Sequence, residues 1–256
     1  MKCAGIRSVG RRVALARAAL AWLFVLLAGP AAAECRQALV LGLDVSGSVD
    51  EREYRLQVEG LANALGAEEV REALLSVPGQ PVRLAVFEWS GPQSQSLILP
   101  WAEIGDAGAL DAAIARIRGA ERQPAQLSTA IGAAMAAGFR LLGDQGDCLR
   151  RTLDLSGDGE SNTGTRPSVI RERFLPEGVT VNGLVVGAIP GGGDDRSDDI
   201  RRLAGYFEAN VTGGPGAFVE MALGYDDYEA AMRRKLLREI ASMVIGRADV
   251  AEDGGG

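Results

Sequence analysis

Three short stretches carry oxygen donors at spacings that suit a hard cation. Asp44-Val45-Ser46-Gly47-Ser48 sets one carboxylate and two hydroxyls on alternate residues. Gln126-Leu127-Ser128-Thr129 adds another hydroxyl, and Ser156-Gly157-Asp158-Gly159-Glu160 adds a second carboxylate followed by glycine. Two carboxylates with up to three hydroxyls, completed by water, match the octahedral oxygen coordination that magnesium (Mg2+) prefers; Mn2+ and Ca2+ are the other hard candidates. Composition leaves few rivals. The chain has no histidine, and only Lys2 and Lys235 of its 27 basic residues are lysine. Without imidazole there is no Ser-His-Asp triad, no Cys-His dyad and none of the usual zinc sites. Scarce lysine removes most Schiff-base and phosphate-gripping chemistry. A metal centre here is an oxygen centre.

For the three loops to meet, each must leave the same edge of one sheet. Residues 38–43 form a uniformly apolar run suited to a central strand. Asp50 with Glu53 makes a capping box, so the helix that follows does not need Asp44 as its cap. Tyr54, Val58, Leu61, Ala62 and Leu65 then recur at helical spacing. A further helix is predicted over 68–75, and strands over 82–89 and 96–101, hairpin-paired across Gly91-Pro92. Helices at 110–117, 129–142 and 200–208 alternate with strands at 151–155, 179–186 and 217–223. Tyr228, Ala231, Met232, Leu236, Ile240 and Met243 mark a last amphipathic helix that stops at Gly246. Such alternation predicts an α/β fold: a doubly wound, mostly parallel central sheet with helices on both faces. Ligands in these folds bind beyond the carboxyl ends of the strands, where the three donor loops lie.

The combination resembles the metal-ion-dependent adhesion site of von Willebrand factor A (VWA) domains, which have a Rossmann-like fold. Their pattern is Asp-x-Ser-x-Ser, a distant Thr, and an Asp followed by Gly. It stands here as Asp44, Ser46 and Ser48, then Thr129 five residues before Ala134, then Asp158-Gly159. The resemblance spans most of residues 36–245. It implies that Ser46 and Ser48 bind the ion directly, that Thr129 does so directly or through water, and that Asp44 and Asp158 anchor it from the inner or outer sphere. More narrowly, residues 43–50, 88–91 and 154–159 resemble an uncharacterised family of exported bacterial proteins with this domain alone. Two departures stand out: Gly157 where many relatives have Thr, and Leu127-Ser128 where glycines are common. Neither removes a ligand.

Residues 1–33 carry five basic residues, no acid, the apolar run 18–28, and Ala31-Ala32-Ala33 before Glu34. This is the layout of a cleavable Sec-type signal peptide, and the run is shorter than the roughly 20 apolar residues of a spanning helix. Cleavage would leave 223 residues, read as one VWA-like domain over 34–247 and a disordered, acidic, Gly-rich tail over 248–256. Losing the five basic residues takes the net charge from −7 to −12. Such a chain repels nucleic acid and anionic membranes, and after cleavage it has no membrane span. The expected location is periplasmic or secreted, where Cys35 and Cys148 read as a disulfide. In the doubly wound order their strands are neighbours, which places both cysteines at the end opposite the metal.

Other residues are less specific. Asp154 interrupts a buried strand and reads first as a structural hydrogen-bonding group. Glu88, Trp89 and Trp101 lie near the same rim, with packing the first reading for both tryptophans. The Gly- and Asp-rich loop 187–199 reads as a solvated loop, with partner recognition or a further cation as the sharper reading. Two function classes follow. The first is an exported binding module, not an enzyme, whose ion accepts a carboxylate from a protein or peptide partner. The alternatives are a magnesium-dependent hydrolase or phosphatase using Asp44, or an accessory subunit of an exported enzyme or transporter. Dehalogenase-type phosphatases need a second Asp where this chain has Ser46, and a Lys for which only Lys235 is available.

Overall fold

All ten residues of the first strand, β1 (Cys35–Asp44), are buried, as a strand must be when helices cover both faces. The computed structural model describes residues 35–187 and 195–252. The remaining strands are β2 (Val82–Trp89), β3 (Gln95–Ile104), β4 (Cys148–Gly157), β5 (Val179–Val186) and β6 (Val219–Ala222). They form one sheet in the order β3-β2-β1-β4-β5-β6. Only β3 runs antiparallel, pairing with β2 as the expected hairpin.

The helices are α1 (Glu51–Gly66), α2 (Glu68–Leu75), α3 (Ala107–Arg118), α4 (Ile131–Gly143), α5 (Pro167–Phe174), α6 (Asp195–Asn210) and α7 (Tyr228–Glu252). They sort onto the two faces by the period-2 alternation of the strands. Leu39, Leu41 and Leu43 of β1 pack with Val58 and Leu61 of α1, Leu110 of α3 and Met232 and Leu236 of α7. Ala38 and Val40 face the other way, toward Met135 and Phe139 of α4 and Phe207 of α6. The second layer sits close: a Cβ on Gly138 of α4 would lie 2.4 Å from the Leu153 side chain. This is the doubly wound α/β fold that the alternation implies.

Cys35 and Cys148 are register partners at the starts of β1 and β4. They form a disulfide, with Cα atoms 4.3 Å apart. The Asp44 and Asp158 loops leave the opposite end of these parallel strands, so bridge and site brace the same strand pair from its two ends.

Several boundaries differ from the sequence reading. Helix α4 begins at Ile131, not 129, because Ala130 has φ −113° and ψ 68°. Thr129 stays in the loop: its N–H donates to Asn162 Oδ1 at 2.9 Å and its carbonyl accepts from the Asn162 N–H. Helix α5 has no counterpart in the sequence pattern; it has two buried side chains, Pro167 and Ile170, too few to make a period. Strands β3 and β4 are longer than predicted and β6 is shorter. Helix α6 starts at Asp195 rather than 200. Helix α7 runs past Gly246 to Glu252, so the tail predicted disordered from 248 is helical as far as that residue. A single glycine costs about 1 kcal/mol in a helix and does not end it where no proline follows. The signal peptide, loop residues 188–194 and tail residues 253–256 lie outside the described residues.

Candidate metal centre

The loop after β1 is bound from several sides. Asp44 and Ser46 are fully buried. Asp44 Oδ1 accepts the Ser46 N–H at 2.8 Å, the turn expected of an Asp two residues before its donor. The Asp44 carbonyl accepts from Gln57 Nε2 of α1 at 2.9 Å. Gln57 Oε1 in turn accepts from the Ser156 hydroxyl, which accepts from the Tyr228 hydroxyl at the start of α7. Arg122 Nη2 donates to the carbonyls of Val45 and Val49, at 3.1 and 2.7 Å, clipping the loop from outside. The capping box is formed: Asp50 Oδ1 takes the Glu53 N–H, and Glu53 Oε2 takes the Asp50 N–H. Asp50 thus caps α1 and Asp44 is free for another use.

The five predicted side chains converge. Ser46 Oγ lies 3.3 Å from Ser48 Oγ and accepts from Thr129 Oγ1 at 3.2 Å. Ser48 Oγ donates to Asp158 Oδ1 at 2.7 Å. The second oxygens of both carboxylates, Asp44 Oδ2 and Asp158 Oδ2, are buried with no hydrogen-bond partner. Gly157 leaves the first of them uncovered, since a Cβ there would sit 3.2 Å from Asp44 Oδ2. Burial, then the charge of Asp158, push the Asp44 pKa up to about 7. Burial also raises Asp158. Two destabilised carboxylates sharing a hydroxyl cluster fit a divalent cation, which would satisfy both free oxygens at once. Among the described residues no group of three or more His, Cys, Asp and Glu side chains gathers as a metal cluster. The donor set is hydroxyl-rich, as magnesium tolerates and zinc seldom chooses.

Three contributors have no sequence signal. Asn162 fixes Thr129, Arg122 clips the 45–49 turn, and Tyr225 turns a buried hydroxyl toward Asp158, easing its charge without completing a bond of ordinary geometry, with Asp44 also within its field. Leu127, 84% exposed, stands on the rim where its carbonyl accepts the Gly47 N–H. Asp154 is not part of the centre. It pairs with Lys235 at 2.7 Å, and Lys235 also contacts Glu239 at 2.6 Å, all three buried between the sheet and α7. Trp89 is buried and Trp101 half-buried, both in the second core layer. Glu88 is buried beside the rim, on Tyr54.

A sequence model of a family described as a protein of unknown function, DUF1194, matches residues 34–244. The chain belongs to the DUF1194 family. Solved structures place the fold of this DUF1194 chain among VWA domains. Proximal thread matrix protein 1 of the mussel byssus, in a form with a zinc-occupied adhesion-site motif, has a TM-score of 0.55 at 16% identity, covering 81% of this chain and 48% of that one. A von Willebrand factor type A protein from Catenulispora acidiphila gives 0.54 at 16% identity, covering 80% and 43%. The pilus adhesin SpaC of Lactobacillus rhamnosus GG gives 0.54 at 13% identity, covering 82% and 31%. The chain thus spans less than half the length of each of these proteins. A comparison with the curated proteins finds no match.

Proposed function

We propose that the protein is an exported VWA-type binding module that holds a divalent ion, magnesium first, on Asp44, Ser46, Ser48, Thr129 and Asp158, and through it takes a carboxylate of a protein or peptide partner. The observation that carries this reading is the pair of buried, unpartnered carboxylate oxygens, Asp44 Oδ2 and Asp158 Oδ2, beside three touching hydroxyls. A bound ion supplies a positive charge with an open coordination position for an incoming oxygen. The chain holds the rest in place: Gln57 and Arg122 fix the 44–49 turn, Asn162 fixes Thr129, and Leu127 offers an apolar contact at the rim. The zinc-occupied motif of the mussel protein supports metal binding and widens the range of ions to be tried.

The reading as a binding module rather than an enzyme is supported by Lys235. It is the one lysine among the described residues, and Asp154 and Glu239 hold it away from Asp44. Export is supported by the disulfide, a bond of oxidising compartments. Among the described residues no helix is long and apolar enough to cross a membrane. The test is capture of partners from envelope extract in magnesium, repeated in EDTA and with Asp44→Ala. Capture that disappears in both supports the mechanism; equal capture in all three arms sinks it.

A further inference from the structure

Val82, Leu84 and Val86 present one face of β2 to the first core layer, and Glu88 ends that row with a carboxylate. Glu88 is 2% exposed. Its Oε1 accepts the Tyr54 hydroxyl at 2.6 Å, while the buried Oε2 has no hydrogen-bond partner. The Gln123 N–H faces the carboxylate and eases its charge without completing a bond of ordinary geometry. Arg122 and Arg55 help from a distance: Arg122 Nη2 donates to the carbonyls of Val45 and Val49, and Arg55 Nη2 donates to that of Ala120 while its Nε lies 3.8 Å from Glu51. Burial outweighs these aids and raises the Glu88 pKa. A buried carboxylate with one oxygen unmet is destabilising, and such a group calls for a partner.

Glu88 also lines a cleft of about 270 Å³, together with Gln93, Ser94, Gln95, Ser96 and Gln123. Ser96 stands opposite Glu88 in the β2–β3 register, so the strand pairing itself places a hydroxyl beside the acid. Val45, between Asp44 and Ser46, lines the same cleft, so it adjoins the metal turn without sharing a donor with it. Apart from Glu88 these polar walls are uncharged amides and hydroxyls, whose oxygens accept N–H groups. One carboxylate is too little charge for a divalent ion, and a neutral hydroxyl would leave that charge unmatched. A primary ammonium supplies one positive charge and three donors.

We propose that Glu88 and its cleft form a binding subsite for a primary ammonium, such as a lysine side chain. The subsite stands without the metal-centre reading. The probe is N-acetyl-lysine methylamide, titrated into the disulfide-intact protein with amide shifts read by NMR. The expected result is saturable shifts at Gln93, Ser94, Gln95, Ser96 and Gln123, in EDTA and in magnesium alike. The norleucine analogue, which lacks the ammonium, and Glu88→Gln should each bind at least tenfold more weakly. Gln can still accept the Tyr54 hydroxyl, so that variant keeps the fold. No shifts at those amides, or equal binding by Glu88→Gln, overturns the subsite. A parallel Mn2+ titration separates the two sites: lysine-probe binding without Mn2+ binding supports the subsite while counting against the metal centre.

Discussion

Asp44 concentrates the chemistry of the rim. Its pKa, pushed up to about 7 by burial and then by Asp158, lies above its ordinary 3.8. The ion-free folded chain therefore holds more protons than the unfolded chain between these values, and its stability falls as pH rises from about 4 to about 7. A divalent ion removes that penalty. Added magnesium should raise the melting temperature more near pH 8 than near pH 5, as thermal unfolding at both pH values would show. An equal gain at both would mean that the ion binds away from Asp44. The five ligand candidates were legible because Ser, Thr and Asp at fixed spacing follow strand ends. Asn162, Arg122 and Tyr225 were not, because their role exists only across space. Asp154 was legible as buried and polar, while its partner was not.

At the scale of elements, α7 carries a feature that its spacing contained. Lys235 and Glu239 fall on the same face as Tyr228, Met232 and Leu236, and all are buried. The two opposite charges pair with each other on the apolar stripe, and the facing strand adds a second carboxylate to the lysine, Asp154 of β4. Burial alone would lower the Lys235 pKa, but contact with Asp154 and Glu239 outweighs it and the net shift is upward. Lys235→Met removes the cation between two buried carboxylates, Asp154 and Glu239, of which Glu239 keeps the Asn182 amide, and should cost about 3–5 kcal/mol in urea unfolding. A loss below about 1 kcal/mol would show that the pair contributes little net stability. The Cys35–Cys148 bridge spans a sequence separation of 113. Replacing both cysteines with alanine should cost about 3–5 kcal/mol by the same measurement. The order of strands and helices was readable from periodicity, whereas α5 and the ends of β3 and α7 were not. Short helices lack a full period, and glycine marks a helix end only when its backbone turns.

For the whole molecule, fold and chemistry point the same way from separate observations. The DUF1194 match covers residues 34–244, and VWA domains share the architecture at 13–16% identity. Function is therefore argued from the rim and not from likeness. With residues 1–33 removed, the chain carries a charge of −12. Its partner should meet it through basic surface around an acidic group, and association should slow as salt rises. On the proposed reading one hydroxyl-rich rim holds one divalent ion. Calorimetric titration of Mg2+ and Mn2+ into the wild type and into Asp44→Ala and Ser46→Ala, with folding of each variant checked by circular dichroism, tests it most directly. One site per chain in the wild type, weakened at least tenfold in both folded variants, is the predicted result; no binding by the wild type, or undiminished binding by the variants, contradicts it.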